Sequence, residues 1–390
     1  MFSSRLDVGA GRNRLARAVD SRHAAGLPVL DLTASNPTRA EFAYPPGLLA
    51  PLSHAEALRY VPAPFGLPVA RKAVADDYCR RGTPVPPERI LLTASTSEAY
   101  SMLFKLLCDP GDSVLVPRPS YPLVEHLAAL DAVTMESFPL DFDGRWRVEP
   151  EMIEERLKTG RKPVRALVLV SPNNPTGSVL RREEVAAVAS IAVRYDVTLI
   201  VDEVFCDYPM IADWPPSAVA ENAALTFALG GLSKSVGLPQ VKLAWMAVNG
   251  PEPVVTAALD RLETIADAYL SVSTPVQLAV PDLLRDGAVV RQQIHDRVRD
   301  NLAILGDMAR RYPSCTLLPV EGGWYAVLQV PAVESEEELV LRILDSAGVL
   351  VHPGYFFDFD REAFLVISLL PPTELFVRAI ASLFGLVARA

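Results

Sequence analysis

Cysteine is scarce in this chain of 390 residues: four only, Cys79, Cys108, Cys206 and Cys315, without a C-x-x-C pair or paired metal-ligand spacing. That excludes a disulfide framework, offers no metal site, and suits a reducing cytoplasm. Basic surplus is also missing. Lys and Arg number 37 against 47 Asp and Glu, a formal charge of −10. No Lys/Arg cluster marks a track for a phosphate backbone, so a nucleic-acid partner is not expected. No apolar run reaches the about 20 residues that span a bilayer. The opening "MFSSRLDVGAGRNRLARAVDSRH" lacks the apolar core of a signal peptide. Internal repeats and low-complexity tracts are absent. What remains is the composition of a globular, cytoplasmic protein without membrane contact.

The length exceeds what one core usually serves, so a large domain with a smaller one is expected. Between residues 45 and 280, apolar β-rich runs alternate with helical patterns. "RILLTA" (89–94), "DSVLVP" (112–117), "VRALVLV" (164–170) and "VTLIVDE" (197–203) read as strands. Helices are expected from Ser97 to Leu107, over "YPLVEHLAAL", and over "REEVAAVASIAVRY". Near-continuous apolar strands are buried on both faces, as in parallel sheets covered by helices. The fold class is therefore α/β, with a large doubly wound, mostly parallel sheet domain. From 286 to 311 one long amphipathic helix is expected. Then come "CTLLP", "WYAVLQV", the helix "EEELVLRILDSAG", "AFLVISLL" and a last helix, which is α+β texture. The expected division is 41–285 for the large domain, with 1–40 and 286–390 forming the small one. The 34 prolines sit mainly at segment boundaries.

Open α/β sheets bind ligands beyond the carboxyl ends of their strands. Four such ends carry polar groups here. "VRALVLV" runs into "SPNNPTG", "VTLIVDE" ends with Asp202 and Glu203, "RILLTA" ends in "STSEAY", and "ALTFAL" stops just before Lys234 in "GGLSKSVGLPQVKLAW". Each part also has an ordinary reading. Asp202 could cap backbone amides, "NNPTG" could be a turn, and "ASTSE" could be a capped helix start with Glu98 completing a capping box. A lone lysine is usually solvated. A helix N-terminus nevertheless offers free N–H groups to an anion.

Together, "TASTSEAY", "PRPSYPL", "SPNNPTG", "VDEVF" and "LSKSVGLPQVKLAW" resemble, in order and spacing, the class I/II aminotransferase family of fold-type I pyridoxal-phosphate enzymes. The likeness extends to "LTASNPT" and "RYVPAPFGLPVARKAV" near the start. It implies pyridoxal 5'-phosphate as cofactor and transfer of an amino group between an amino acid and a 2-oxo acid. It further implies that Lys234 forms the internal aldimine and moves the proton, and that Asp202 pairs with the pyridine nitrogen. Asn174 would bind the phenolic oxygen and Tyr121 would stack on the ring. Ser95, Thr96, Ser97 and Lys242 would hold the phosphate. Tyr60 would reach the phosphate of a neighbouring subunit, hence a homodimer with shared active sites. Asn36 falls near the usual substrate-carboxylate contact. The small residues around Lys234 would let a planar cofactor approach.

The chain departs from that pattern at three positions. Phe205 stands where most relatives have a tyrosine, leaving Asn174 as the expected donor to the phenolic oxygen. Lys242 replaces the commoner arginine, giving a point charge without the bidentate fork. Val366 occupies the place of the arginine that usually clamps the substrate's α-carboxylate, with Arg39 and Arg361 as substitutes. That loss makes a lyase, decarboxylase or synthase of the same fold the alternative. The five histidines, His126 and His352 among them, read as ordinary packing, and Trp324 as core.

Overall fold

A computed structural model describes Ser3, Arg5, residues 13–160 and residues 162–387. The other positions, including most of the first twelve assigned to the small domain and to the reading of the leader, lie outside the described residues.

Seven strands form the main sheet. Their order across it is Ile90–Thr93, Ala244–Asn249, Thr226–Gly231, Thr198–Asp202, Val164–Val170, Ser113–Arg118, Thr134–Pro139. All run parallel except Ala244–Asn249, which is antiparallel to both neighbours. The central strands are apolar because helices cover both faces: Leu167, Val168, Leu199, Ile200, Val201 and Phe227 have no exposure. Helices Thr96–Leu107 and Glu252–Tyr269 pack together on one face. Helix Arg182–Tyr195 links the strands Val164–Val170 and Thr198–Asp202.

The four expected strands and three helices are present with ends within two residues, the helix in "YPLVEHLAAL" beginning at Leu123. The outer strand Thr134–Pro139 was not expected. Its sequence, "TMESFP", is polar and only its Phe138 is fully covered, since an edge strand has one neighbour to hide behind.

The long helix is Ala288–Arg311, starting just after Gly287. Its buried side, Val290, Ile294, Val298, Asn301, Leu305 and Ala309, repeats every three to four residues. Asn301 Nδ2 donates to Leu369 O and Pro371 O, each at 2.9 Å, tying the helix to the C-terminal segment. A second, antiparallel sheet orders Thr316–Leu317, Tyr325–Gln329, Phe364–Ser368 and His352–Pro353. Helix Glu336–Ala347 packs against its strand His352–Pro353, and helix Thr373–Val387 packs against the long helix and against Leu30–Asp31. Leu30–Asp31 pairs with Val349–Leu350, so chain from the N-terminal side is built into the C-terminal part. One apolar core joins both sheets, from Leu169 and Val201 to Val327 and Val366.

Candidate active site

Parallel strands aim their carboxyl ends the same way, and the polar turns gather there. Thr93 and Gly231 both pair with Ala244, so the start of the antiparallel strand lies at the same edge. Beyond that edge is a cavity of about 680 Å³. Ser95, Thr96, Ser97, Tyr121, Asn174, Asp202 and Lys234 all line it. Residues separated by up to 139 positions are thus brought to one space by strand order alone.

Lys234 sits in the short helix Leu232–Ser235, directly after the strand Thr226–Gly231. Its Nζ donates to Ser35 O at 3.3 Å and lies 4.8 Å from the Trp324 ring centroid and 5.5 Å from that of Phe205. Burial lowers its pKa to about 8, while the charge of Asp202 pulls upward. Tyr208 O–H, beneath, donates to Lys234 O and fixes the backbone.

Asp202 ends its strand. Its Oδ1 accepts from Val204 N–H at 3.1 Å, and its Oδ2 accepts from Tyr100 O–H at 3.2 Å. Burial lifts its pKa to about 6, and those two donors hold it down. Tyr100 was not singled out from the sequence. It lies three and four residues after Ser97 and Thr96, on the same helix face, and that spacing was the available signal.

The turn at residues 93–98 is a helix cap. Ser95 Oγ accepts from Glu98 N–H at 3.1 Å, and Glu98 Oε2 accepts from Ala94 N–H at 2.6 Å and from Ser271 Oγ at 2.7 Å. The carboxylate thus closes on Ala94, one residue earlier than in a capping box. The capping and anion-facing readings of this turn coexist, because Ser95, Thr96 and Ser97 still border the cavity at the helix N-terminus. Asn174 is nearly covered at 8% exposure, and its Oδ1 has no partner.

Other expected residues stand apart. Lys242 is exposed, in left-handed backbone at φ 58°, and is not among the residues lining the cavity. Tyr60 is 70% exposed, on the surface run Leu58–Val61. Asn36 caps a turn, its Oδ1 accepting from Thr38 N–H at 3.0 Å and Thr38 Oγ1 at 2.8 Å, while Ser35 lines the cavity instead. Arg39 is exposed; Arg361 lies over the Phe364 ring at 5.3 Å; neither borders the cavity. Val366 is fully buried.

The glycines before Lys234 also answer the next strand, while Gly231 and Ser233 border the cavity. A Cβ on Gly230 would meet Trp245 Nε1 at 2.6 Å, and one on Gly231 would meet Ala244 Cβ at 3.0 Å. His352, read as packing, lines the cavity. Trp324 is core, with no exposure, yet its ring faces Lys234. Phe205 packs edge-on to Trp324 and Tyr325, with ring centroids 5.2 and 6.1 Å away.

Known proteins share this organisation. The family described as aminotransferase class I and II matches residues 42–382. The nicotianamine aminotransferase 1 of Oryza sativa subsp. japonica is 28% identical over 375 residues, covering 90% of this chain and 73% of that protein. The glutamate-pyruvate aminotransferase AlaA of Haemophilus influenzae is 26% identical over 373 residues, covering 92% and 90%. An alanine aminotransferase structure from Pyrococcus furiosus superposes over the whole of both chains with a TM-score of 0.89, at 23% identity.

Proposed function

The chain belongs to the class I and II aminotransferases, and we propose that it uses pyridoxal 5'-phosphate, held in the 680 Å³ cavity, to move an amino group between an amino acid and a 2-oxo acid. It is an aminotransferase; the lyase, decarboxylase or synthase alternative is not favoured by relatives of this kind. The observation that carries the cofactor reading is one juxtaposition. A lysine with its pKa lowered to about 8 and an aspartate with its pKa raised to about 6 border the same cavity. The nearly covered amide of Asn174 lies on its wall, and a hydroxyl-bearing helix N-terminus borders it.

The donor set fits the group. Ser95, Thr96 and Ser97 would bind its phosphate at the helix N-terminus, where backbone N–H groups and the helix dipole favour an anion. Asp202 would face its ring nitrogen, and a cationic N–H there would draw the carboxylate back toward ionisation. Asn174 would donate from Nδ2 to its phenolic oxygen, and Tyr121, 50% exposed at the rim, would cover its face. When bound, the pyridoxal ring supplies a sink for the electron pair released at the substrate's Cα.

Lys234 is the residue we assign to move that proton. An amine of ordinary pKa would stay protonated near neutrality, whereas one near 8 is free in a useful fraction. Trp324 and Phe205 keep water from Nζ, and Ser35 O orients it. Tyr100 holds the Asp202 carboxylate in place.

Exposed Tyr60, and Lys242 outside the cavity lining, fit a homodimer in which a neighbour completes the phosphate site. We retain the division into 41–285 and 1–40 with 286–390, supported by the two separate sheets. A cytoplasmic setting is proposed from four free thiols.

The test is a half-reaction screen. Protein incubated with pyridoxal phosphate and gel-filtered is expected to keep an absorbance band beyond that of its own aromatics, and one member of an amino-donor panel is expected to convert it. Lys234→Ala should lose that conversion. Protein that retains no such band refutes the cofactor reading; release of ammonia, thiol or carbon dioxide without conversion refutes transamination.

A further inference from the structure

An amino acid brings a carboxylate into this cavity, and a carboxylate leaving water needs a donor or a cation. No arginine is among the described residues that line it. Lys234 is engaged at the amine end, and Tyr100 is committed to Asp202. His352 is the other lining residue able to carry positive charge.

Its position is set by the small sheet. His352 pairs with Val366, and Val366 pairs on its other side with Val327; two residues along, Tyr325 pairs with Ser368. Paired residues and their i+2 neighbours share a face, so His352, Val366 and Tyr325 point to the same side. Both ends of that group, Tyr325 and His352, border the cavity, while Val366 between them is fully buried and adds no polar atom. The imidazole packs against Phe356 and Phe357, with ring centroids 5.7 and 5.8 Å away. Its Nδ1 is buried without a hydrogen-bond partner among the described residues. A polar ring held by aromatic neighbours, beside a ligand space, with a nitrogen unsatisfied, is an incomplete donor set.

We propose that His352 binds the α-carboxylate of the amino-acid substrate, in the place that Val366 leaves without a charge. The proposal rests on the aminotransferase reading above. Burial lowers the pKa of His352 and the charge of Asp31 raises it. The free ring is thus largely neutral near pH 7 and offers one N–H, and an incoming carboxylate favours its protonation. Phe356 and Phe357 exclude water from the pair.

The experiment compares wild type, His352→Gln and His352→Ala. Hydrocinnamate, a monocarboxylate without an amine, is titrated into each protein after loading with pyridoxal phosphate, by calorimetry and, in wild type, by the imidazole NMR signals. Loss of one hydrogen bond to a charged group weakens binding by about ten- to a hundredfold in His352→Ala. His352→Gln, which keeps an N–H donor, should recover most of it, and the wild-type imidazole signals should shift on binding. With a converted amino donor, the KM of His352→Ala should rise by the same factor and kcat should hold within about twofold. Unchanged hydrocinnamate affinity in His352→Ala, or loss in kcat at constant KM, overturns the proposal. The titration needs no turnover, so it decides His352 even in protein that converts no donor, an outcome that sinks the functional reading alone.

Discussion

Asp202→Asn is expected to stabilise the cofactor-free protein while damaging its function. The carboxyl's pKa rises from 3.8 to about 6 through burial, and at 1.36 kcal/mol per pH unit the ionised form costs the fold about 3 kcal/mol. Asparagine has the same shape, still accepts from Val204 N–H, and can pair with Tyr100 by donating to its hydroxyl. That figure already includes the attraction of Lys234 and the bonds from Val204 and Tyr100, so the net gain at pH 8 is about 3 kcal/mol, roughly 4 °C in melting temperature for a chain of this length. The sign with pH follows from the raised pKa. Between about pH 4 and 6 the folded carboxyl keeps a proton that the unfolded one has released, so wild-type stability falls as pH rises through that window. Asparagine has no such fall. Thermal or urea unfolding of both proteins from pH 4 to 8 should show a difference near zero at pH 4 that grows to its full value by about pH 7. A variant less stable than wild type at pH 8, or a difference independent of pH, would refute the claim that this carboxylate is desolvated.

Tyr100→Phe removes a hydrogen bond to the Asp202 carboxylate, worth about 1.5 kcal/mol, and should move the midpoint of that pH-dependent stability upward by about one unit, read in the same unfolding series. Gly230→Ala should destabilise by about 1–3 kcal/mol in denaturant titration, since the new methyl would stand 2.6 Å from Trp245 Nε1 in the middle of the sheet. Asn301→Leu should cost about 2–4 kcal/mol by the same measure, because two buried carbonyls, of Leu369 and Pro371, lose their donor together.

Residue order along the chain was enough to read much of this protein. The runs "VRALVLV" and "VTLIVDE" announce buried parallel strands, because a strand covered on both faces admits little but apolar side chains. The polar turns that follow them announce the site, because parallel strands end at a common edge. Lys234, Asp202, Asn174 and the run Ser95–Ser97 are legible for that reason, each being tied to a strand end a few residues away. Thr134–Pro139 was not legible: an edge strand needs one apolar neighbour, and its periodicity is weak. Tyr100 and Asn36 show the limit of local reading in both directions. One is a plain helix residue until the helix is docked over Asp202; the other is a turn cap once its own Thr38 is within reach. His352 depends on tertiary structure entirely. Its neighbour in the sheet is Val366, fourteen positions along the chain, and only that pairing places an imidazole where the sequence offers a valine. Covalent order determines what each strand can bury and which groups its turn presents. Which of those groups meet, and across what gap, is decided by strand register and sheet packing, since these set distances between residues that the chain itself leaves far apart.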